Sequence, residues 1–133
     1  GTYPAQGLRG PVVFVTNPYA GSDGDIVTLA AQEHGLGPVV GERSWGGVIG
    51  IDGRFQLVDG TEVTQPRYWI QFERSGMRVE NHGVDPDIEV EMTPDSWDSD
   101  KDPQLDAAIA EALQRLQRIP AKEPKPLGAP RFA

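Results

Sequence analysis

The sequence predicts an α/β fold, on three observations. The run Pro11-Val12-Val13-Phe14-Val15-Thr16 is apolar at alternate and intervening positions alike, as expected of a central strand covered on both faces. Asp25 to His34 follows as a helix, with Gly35 placed to end it in a left-handed conformation. A second helix starts at Asp102-Pro103, an N-cap followed by proline at the first helical position. Short strands fill the space between the two helices.

In chain order, residues 1–10 read as an irregular lead-in, and the first strand covers about 11–17. After the first helix, Val39-Val40 begins a short strand that ends near Arg43. Val48-Ile49-Gly50-Ile51 and Phe55-Gln56-Leu57-Val58 are expected to pair as a hairpin around Asp52-Gly53, a strong turn signal. Asp59-Gly60 is a second turn, and Thr61–Val63 and Tyr68–Phe72 read as further short strands. Met77–Glu80 is expected to be extended, and Asn81-His82-Gly83 to be loop. Ile88-Glu89-Val90-Glu91-Met92 alternates as a half-buried strand does. Thr93–Lys101 is an acidic linker. In the last helix Leu105, Ile109, Leu113 and Leu116, with Ala108 and Ala112, form one apolar stripe, which suits a docking face better than a site. Four prolines in the fourteen residues from Pro120 imply an extended tail, so residues 1–119 and 120–133 are read as domain and tail. There is no internal repeat.

Composition narrows the function. At 133 residues the chain is one domain by length, and a domain of this size buries about two-thirds of its unfolded surface, enough for a core without staples. With no cysteine, disulfides and thiolate metal sites are excluded. Twelve basic against twenty acidic residues give a formal charge of −8, which opposes a phosphate backbone as partner. The basic residues are scattered apart from Lys122, Lys125 and Arg131, so no nucleic-acid stripe forms. No apolar stretch approaches the roughly 18 residues of a membrane span. The chain starts at Gly1 rather than methionine, and is expected to be trimmed or a later portion of a longer polypeptide.

Chemistry concentrates in Asn17-Pro18-Tyr19-Ala20-Gly21-Ser22-Asp23-Gly24-Asp25, between the first strand and the first helix. A serine at such a turn is pushed out of the sheet, beside helix N-terminal N–H groups that favour negative charge. A nucleophile attacking a carbonyl needs that setting, because the oxyanion forms within reach of fixed donors. The alternative is that Ser22 or Asp23 serves only as a helix N-cap.

The segment belongs to a longer pattern. Asn17 to Asp25 is followed by Gly35-Leu36-Gly37-Pro38-Val39-Val40-Gly41-Glu42-Arg43-Ser44-Trp45-Gly46-Gly47-Val48-Ile49-Gly50. Thr64-Gln65-Pro66 comes next, then Val79-Glu80-Asn81-His82-Gly83-Val84-Asp85-Pro86-Asp87-Ile88-Glu89-Val90, then Asp102-Pro103-Gln104-Leu105. In order and spacing, from Gly10 to about Leu116, the chain resembles the C-terminal part of the catalytic region of tricorn-type proteases, among the C-terminal processing serine peptidases. The resemblance implies a crotonase-like assembly of sheet and helices, of which this chain supplies the later part. It also implies a cytoplasmic enzyme that cleaves peptide fragments and assembles as a homo-oligomer, commonly a hexamer.

Carried over residue by residue, the resemblance makes Ser22 the catalytic nucleophile and the backbone N–H of Asp23 one oxyanion donor. The second donor is a glycine N–H upstream of this chain. Related peptidases use a lysine base after the nucleophile, but Gly47 stands in its place and no lysine occurs before Lys101. The chain therefore falls on the tricorn side, where a histidine is the base, helped by an upstream serine and a downstream glutamate. Glu80 matches that glutamate; taken singly, it reads as a solvated residue at a strand end. The implied partners are thus peptide substrates and the His-bearing upstream part of the same protease.

The chain's own histidines fit the role of base less well. His34 ends a helix, where the dipole suffices to explain it. His82 lies near Glu80 and offers a local Glu–His pair, but the family's histidine precedes residue 1. Asp85, Asp87 and Glu89 are alternate carboxylates without a histidine ligand, and match a turn of the family that looks structural, so no metal is assigned. No cofactor is implied. Arg43, Trp45, Gly46, Gly47 and the glycines through Gly50 are candidates for a substrate groove along a strand edge; equally, they read as a packed tryptophan with glycines in tight turns. The rival function is a non-catalytic peptide-binding or assembly domain that kept the fold.

Overall fold

The computed structural model describes residues 7–123 and Gly128. Most of the proline-rich tail expected from Pro120 lies outside the described residues. The elements are β1 (Phe14–Thr16), α1 (Asp23–Glu33), β2 (Val39–Gly41), β3 (Gly50–Gln56), β4 (Glu62–Tyr68), β5 (Ile88–Glu89), α2 (Pro94–Trp97) and α3 (Pro103–Arg118). The fold is mixed helix and strand, with α1 connecting the parallel strands β1 and β2.

β1, β2 and β5 form a parallel sheet in that order, with Phe14 opposite Val39 and Val40 opposite Ile88. The first strand is therefore an edge strand among the described residues, not the central one that its apolar sequence predicts. Val15 stays half exposed, while Val39 and Val40 of the true central strand are fully buried. α1 and α3 both pack against β1 and β2. Leu29, Val48, Val79 and Val84 make a second apolar cluster, with Ile26 and Phe72 against it.

The helix ends follow their sequence signals. Gly35 at φ +60 and the backbone N–H of His34, bonded to the Ala30 carbonyl, close α1. Asp102 caps α3 by accepting the Leu105 N–H at 2.9 Å. The buried face of α3 is Gln104 and Ala108, whereas Leu105, Ile109, Leu113 and Leu116 remain 41–57% exposed. The stripe is thus an apolar face that the described residues leave uncovered.

The hairpin differs from expectation. Asp52-Gly53 makes no turn: Gly50–Gln56 is one continuous strand, antiparallel to β4, with a register shift between Asp52 and Phe55. The Asp52 carboxylate accepts the Arg54 N–H and pairs with Arg54 and Arg67, which holds this bulge inside the ladder. The chain reverses instead at Asp59-Gly60, where Asp59 accepts the Thr61 N–H and Gly60 takes φ +84. Thr61–Val63 and Tyr68–Phe72 are consequently not two strands; Glu62–Tyr68 is one. Pro66 is tolerated within it because β4 pairs on one side only.

Two further segments depart from their predicted form. Met77–Glu80 is a series of turns rather than extended, since Glu80 and His82 donate to the carbonyls of Met77 and Val79 and Val79 enters the core. The strand expected over Ile88–Met92 shortens to two residues, because β2 ends at Gly41 and offers no further partner. The linker contains one helical turn, α2, capped by Thr93.

Candidate active site

The Ser22 turn is built by local bonds. The Asn17 side chain accepts the Tyr19 N–H and its carbonyl accepts the Ala20 N–H, which turns the chain sharply at the end of β1. Ser22 follows at φ 53, ψ −111, a conformation that an L-residue holds at a cost of order 1–3 kcal/mol. α1 starts at the next residue. Ser22 occupies the N-cap position, but its hydroxyl makes no capping bond and the residue is exposed. A strained serine at a strand-to-helix turn is the geometry in which a nucleophile is presented above a sheet. Asp23 is the first residue of α1, so its N–H is among those without an intrahelical acceptor.

Beside this turn runs a strap, residues 44–49. The Trp45 N–H bonds to the Ala20 carbonyl at 3.1 Å. Its indole lies across Gly21 and Gly47: a Cβ there would stand 2.6 and 2.3 Å from the ring, so neither position admits a side chain without displacing it. Trp45 is nonetheless 66% exposed. Gly46 is buried, with its α-carbon against the backbone of His82 and Gly83.

Two carboxylates hold the strap. Asp25, wholly buried one turn into α1, accepts the Ser44 hydroxyl at 2.5 Å and the N–H groups of Gly46 and Gly47 at 2.8 and 3.2 Å. Glu80 takes the next two: its Oε2 accepts the Val48 N–H at 2.9 Å and the Ile49 N–H at 3.0 Å. The other Glu80 oxygen has no hydrogen bond among the described residues. Ser44 also accepts the Val84 N–H at 2.8 Å, tying the strap to the segment that carries Glu80.

Ser22, Trp45, Gly47 and Glu80 line one cavity of about 380 Å³, together with Ile49, Gly50, Ile51 and Tyr68. Residues distant in sequence, Ser22 and Glu80, are thereby brought to one site. Gly46 does not line it; that glycine supports the strap from behind.

Neither histidine lines this cavity. His34 caps α1. His82 bonds Asp85 at 3.0 Å and borders a separate cavity of about 210 Å³ with Leu29, Gln32 and Arg78. The local Glu80–His82 pair is not formed, since Glu80 turns to the strap and His82 to Asp85. Asp85 also pairs with Arg43 at 2.6 Å, and Asp87 accepts the Val39 N–H, so both carboxylates serve the turn.

The hydrogen bond from His82, and next that from Arg43, hold the Asp85 carboxyl below its ordinary range. A carboxyl whose folded pKa is depressed adds stability above its unfolded value, about 3.9, and loses it as pH falls through the folded value. Its side chain is 59% exposed, so the contribution is below about 1 kcal/mol. Acid unfolding followed by tryptophan fluorescence should therefore show Asp85→Asn slightly less stable than wild type at neutral pH, the gap closing below about pH 4. A gap that persists in acid would place the effect elsewhere.

Asp25 and Ser44 are absent from the sequence-based candidates. An acidic residue in the first turn of a helix is ordinary, and nothing local indicates that three donors converge on it.

The sequence pattern of peptidase family S41 matches residues 2–90. The chain is 57% identical over 126 residues to tricorn protease homolog 1 of Streptomyces coelicolor, covering 95% of this chain and 12% of that protein. It is 47% identical over 115 residues to the tricorn protease of Thermoplasma acidophilum, covering 86% of this chain and 11% of that protein. A putative tricorn-like protease C-terminal subunit of Sulfurisphaera tokodaii is 48% identical over 115 residues, with 86% and 14% covered. The crystal structure of the tricorn protease superposes with a TM-score of 0.81 at 47% identity, covering 88% of this chain and 12% of that one. The chain thus spans 11–14% of the length of these relatives. It belongs to peptidase family S41, and within that family it is similar to the tricorn proteases.

Proposed function

We propose that this chain is the nucleophile-bearing part of a tricorn-like serine endopeptidase. The observation that carries the reading is the strained, exposed Ser22 at a strand-to-helix turn, lining one cavity with Glu80. In the proposed reaction the Ser22 hydroxyl attacks the peptide carbonyl while a histidine outside this chain removes its proton. The oxyanion is met by the Asp23 N–H and a second donor that this chain does not supply. The histidine returns the proton to the leaving amine, and water then cleaves the acyl-enzyme on Ser22. Glu80 supports the positive charge that forms on the base. Trp45, Gly46 and Gly47 belong to the peptide-binding wall, Gly46 by supporting it.

Residues 1–119 are the later portion of a crotonase-like catalytic domain and 120–133 a tail. The complete enzyme is a cytoplasmic homo-oligomer. No helix of the described residues is long and apolar enough to cross a membrane.

Fluorophosphonate labelling of the complete protein tests the reading. One label per site on Ser22, lost in Ser22→Ala, is expected; an unlabelled Ser22 in folded protein would favour a non-catalytic peptide-binding domain. The isolated 133-residue chain should behave differently. A serine without a paired base is an ordinary alcohol, and little rate survives when members of a triad are missing. Folded chain, checked by circular dichroism, should give no Ser22-dependent cleavage of a pool of unstructured peptides. Activity that disappears in Ser22→Ala would show that the chain carries its own base, and His82 would be the first residue to replace.

A further inference from the structure

We infer that Asp25 is a positioning residue for peptide binding, acting through the 44–49 strap; the inference rests on the peptidase reading of the site. A fully buried carboxylate is expensive unless its oxygens are filled. Those of Asp25 accept three donors, all from the strap: the Ser44 hydroxyl and the Gly46 and Gly47 N–H groups. A carboxylate suits this because it only accepts, whereas an amide of the same shape turns a donor towards one of the three.

Its place in the chain gives the clamp its consequence. Asp25 stands in the first turn of α1, three residues after Ser22, so one rigid helix start holds both the nucleophile and the strap. The strap carries Trp45 and Gly47 into the wall of the Ser22 cavity. With glycine at 46 and 47 it has little stiffness of its own, so its position depends on its hydrogen bonds, those of its N–H groups among them. Glu80 fixes Val48 and Ile49, and Asp25 fixes the two residues before them. Releasing the Asp25 clamp loosens the wall that binds peptide, which the Trp45 N–H bond to Ala20 and the Asn81 N–H bond to the Gly46 carbonyl still tether, while the Ser22 turn and the Glu80 bonds keep the reacting groups in place.

The test uses the complete protease with active sites counted by fluorophosphonate. Asp25→Asn should raise KM for unstructured peptides about tenfold, with kcat per labelled site within about threefold of wild type. A purely structural role would lower the number of labelled sites and leave KM unchanged, and that result would overturn the inference. If Asp25→Asn does not fold, Ser44→Ala decides: it keeps both N–H bonds to Asp25, loses the hydroxyl's bond to Asp25 together with the one it accepts from the Val84 N–H, and should raise KM about threefold. Wild-type KM in Ser44→Ala would count against the clamp. Amide exchange separates this from the peptidase reading. In Asp25→Asn the amides of the strap glycines, Gly47 first because it faces the new NH₂, should exchange faster while those of α1 beyond its first turn do not. Wild-type protein that takes no label defeats the peptidase reading, and unchanged exchange at those glycines defeats the clamp.

Discussion

Ser22→Ala in the complete protease should reduce kcat by on the order of 10⁴ to 10⁶, the range in which a triad enzyme falls to what its binding and oxyanion donors alone supply. The substitution removes one oxygen from an exposed side chain that makes no hydrogen bond as a cap, so folding and KM should stay near wild type. Alanine at φ 53 carries the same backbone strain as serine, and the turn is held by the N–H bonds that Asn17 accepts rather than by the hydroxyl. A loss confined to kcat, with fluorophosphonate labelling abolished, identifies the nucleophile. Peptide turnover within a hundredfold of wild type would remove Ser22 from the chemistry and leave its strained conformation without a catalytic explanation.

The strand-turn-helix that presents Ser22 was legible because each part has a local cause: an apolar run, a turn-forming Asn-Pro, and a helix closed by Gly35. The same holds for α3, whose start follows from Asp102-Pro103. The hairpin misled because Asp-Gly is both a turn signal and a tolerable bulge. Arg54 and Arg67 neutralise Asp52 within the ladder, and that partnership exists only once β3 and β4 have paired. The apolar first strand predicted a central position, yet among the described residues it is an edge. Its composition reflects what covers it, and composition alone does not name the neighbour. Glu80 was found through the family resemblance, since a glutamate in a turn carries no local sign of its use. Asp25 and Ser44 were not found, because their function is to receive donors from segments distant in the chain.

Glu80→Gln should lower kcat about 10² to 10³-fold in the complete protease, with a smaller change in KM. The loss is smaller than for Ser22→Ala because a supporting acid is less essential than the nucleophile. Glutamine suits the test because of what Glu80 already does. One of its oxygens accepts the Val48 and Ile49 N–H groups, and the amide oxygen of glutamine can accept both, so the strap stays in place. The amide NH₂ then stands where the second carboxylate oxygen was, a donor replacing an acceptor, and the negative charge is gone. That charge matters most when an imidazolium forms in the transition state, so the loss belongs in kcat. Glu80→Ala separates the two duties: it frees both N–H groups as well, and should raise KM in addition to lowering kcat. Wild-type turnover in Glu80→Gln would show that the carboxylate holds only the strap, and the supporting acid would then have to be sought outside this chain.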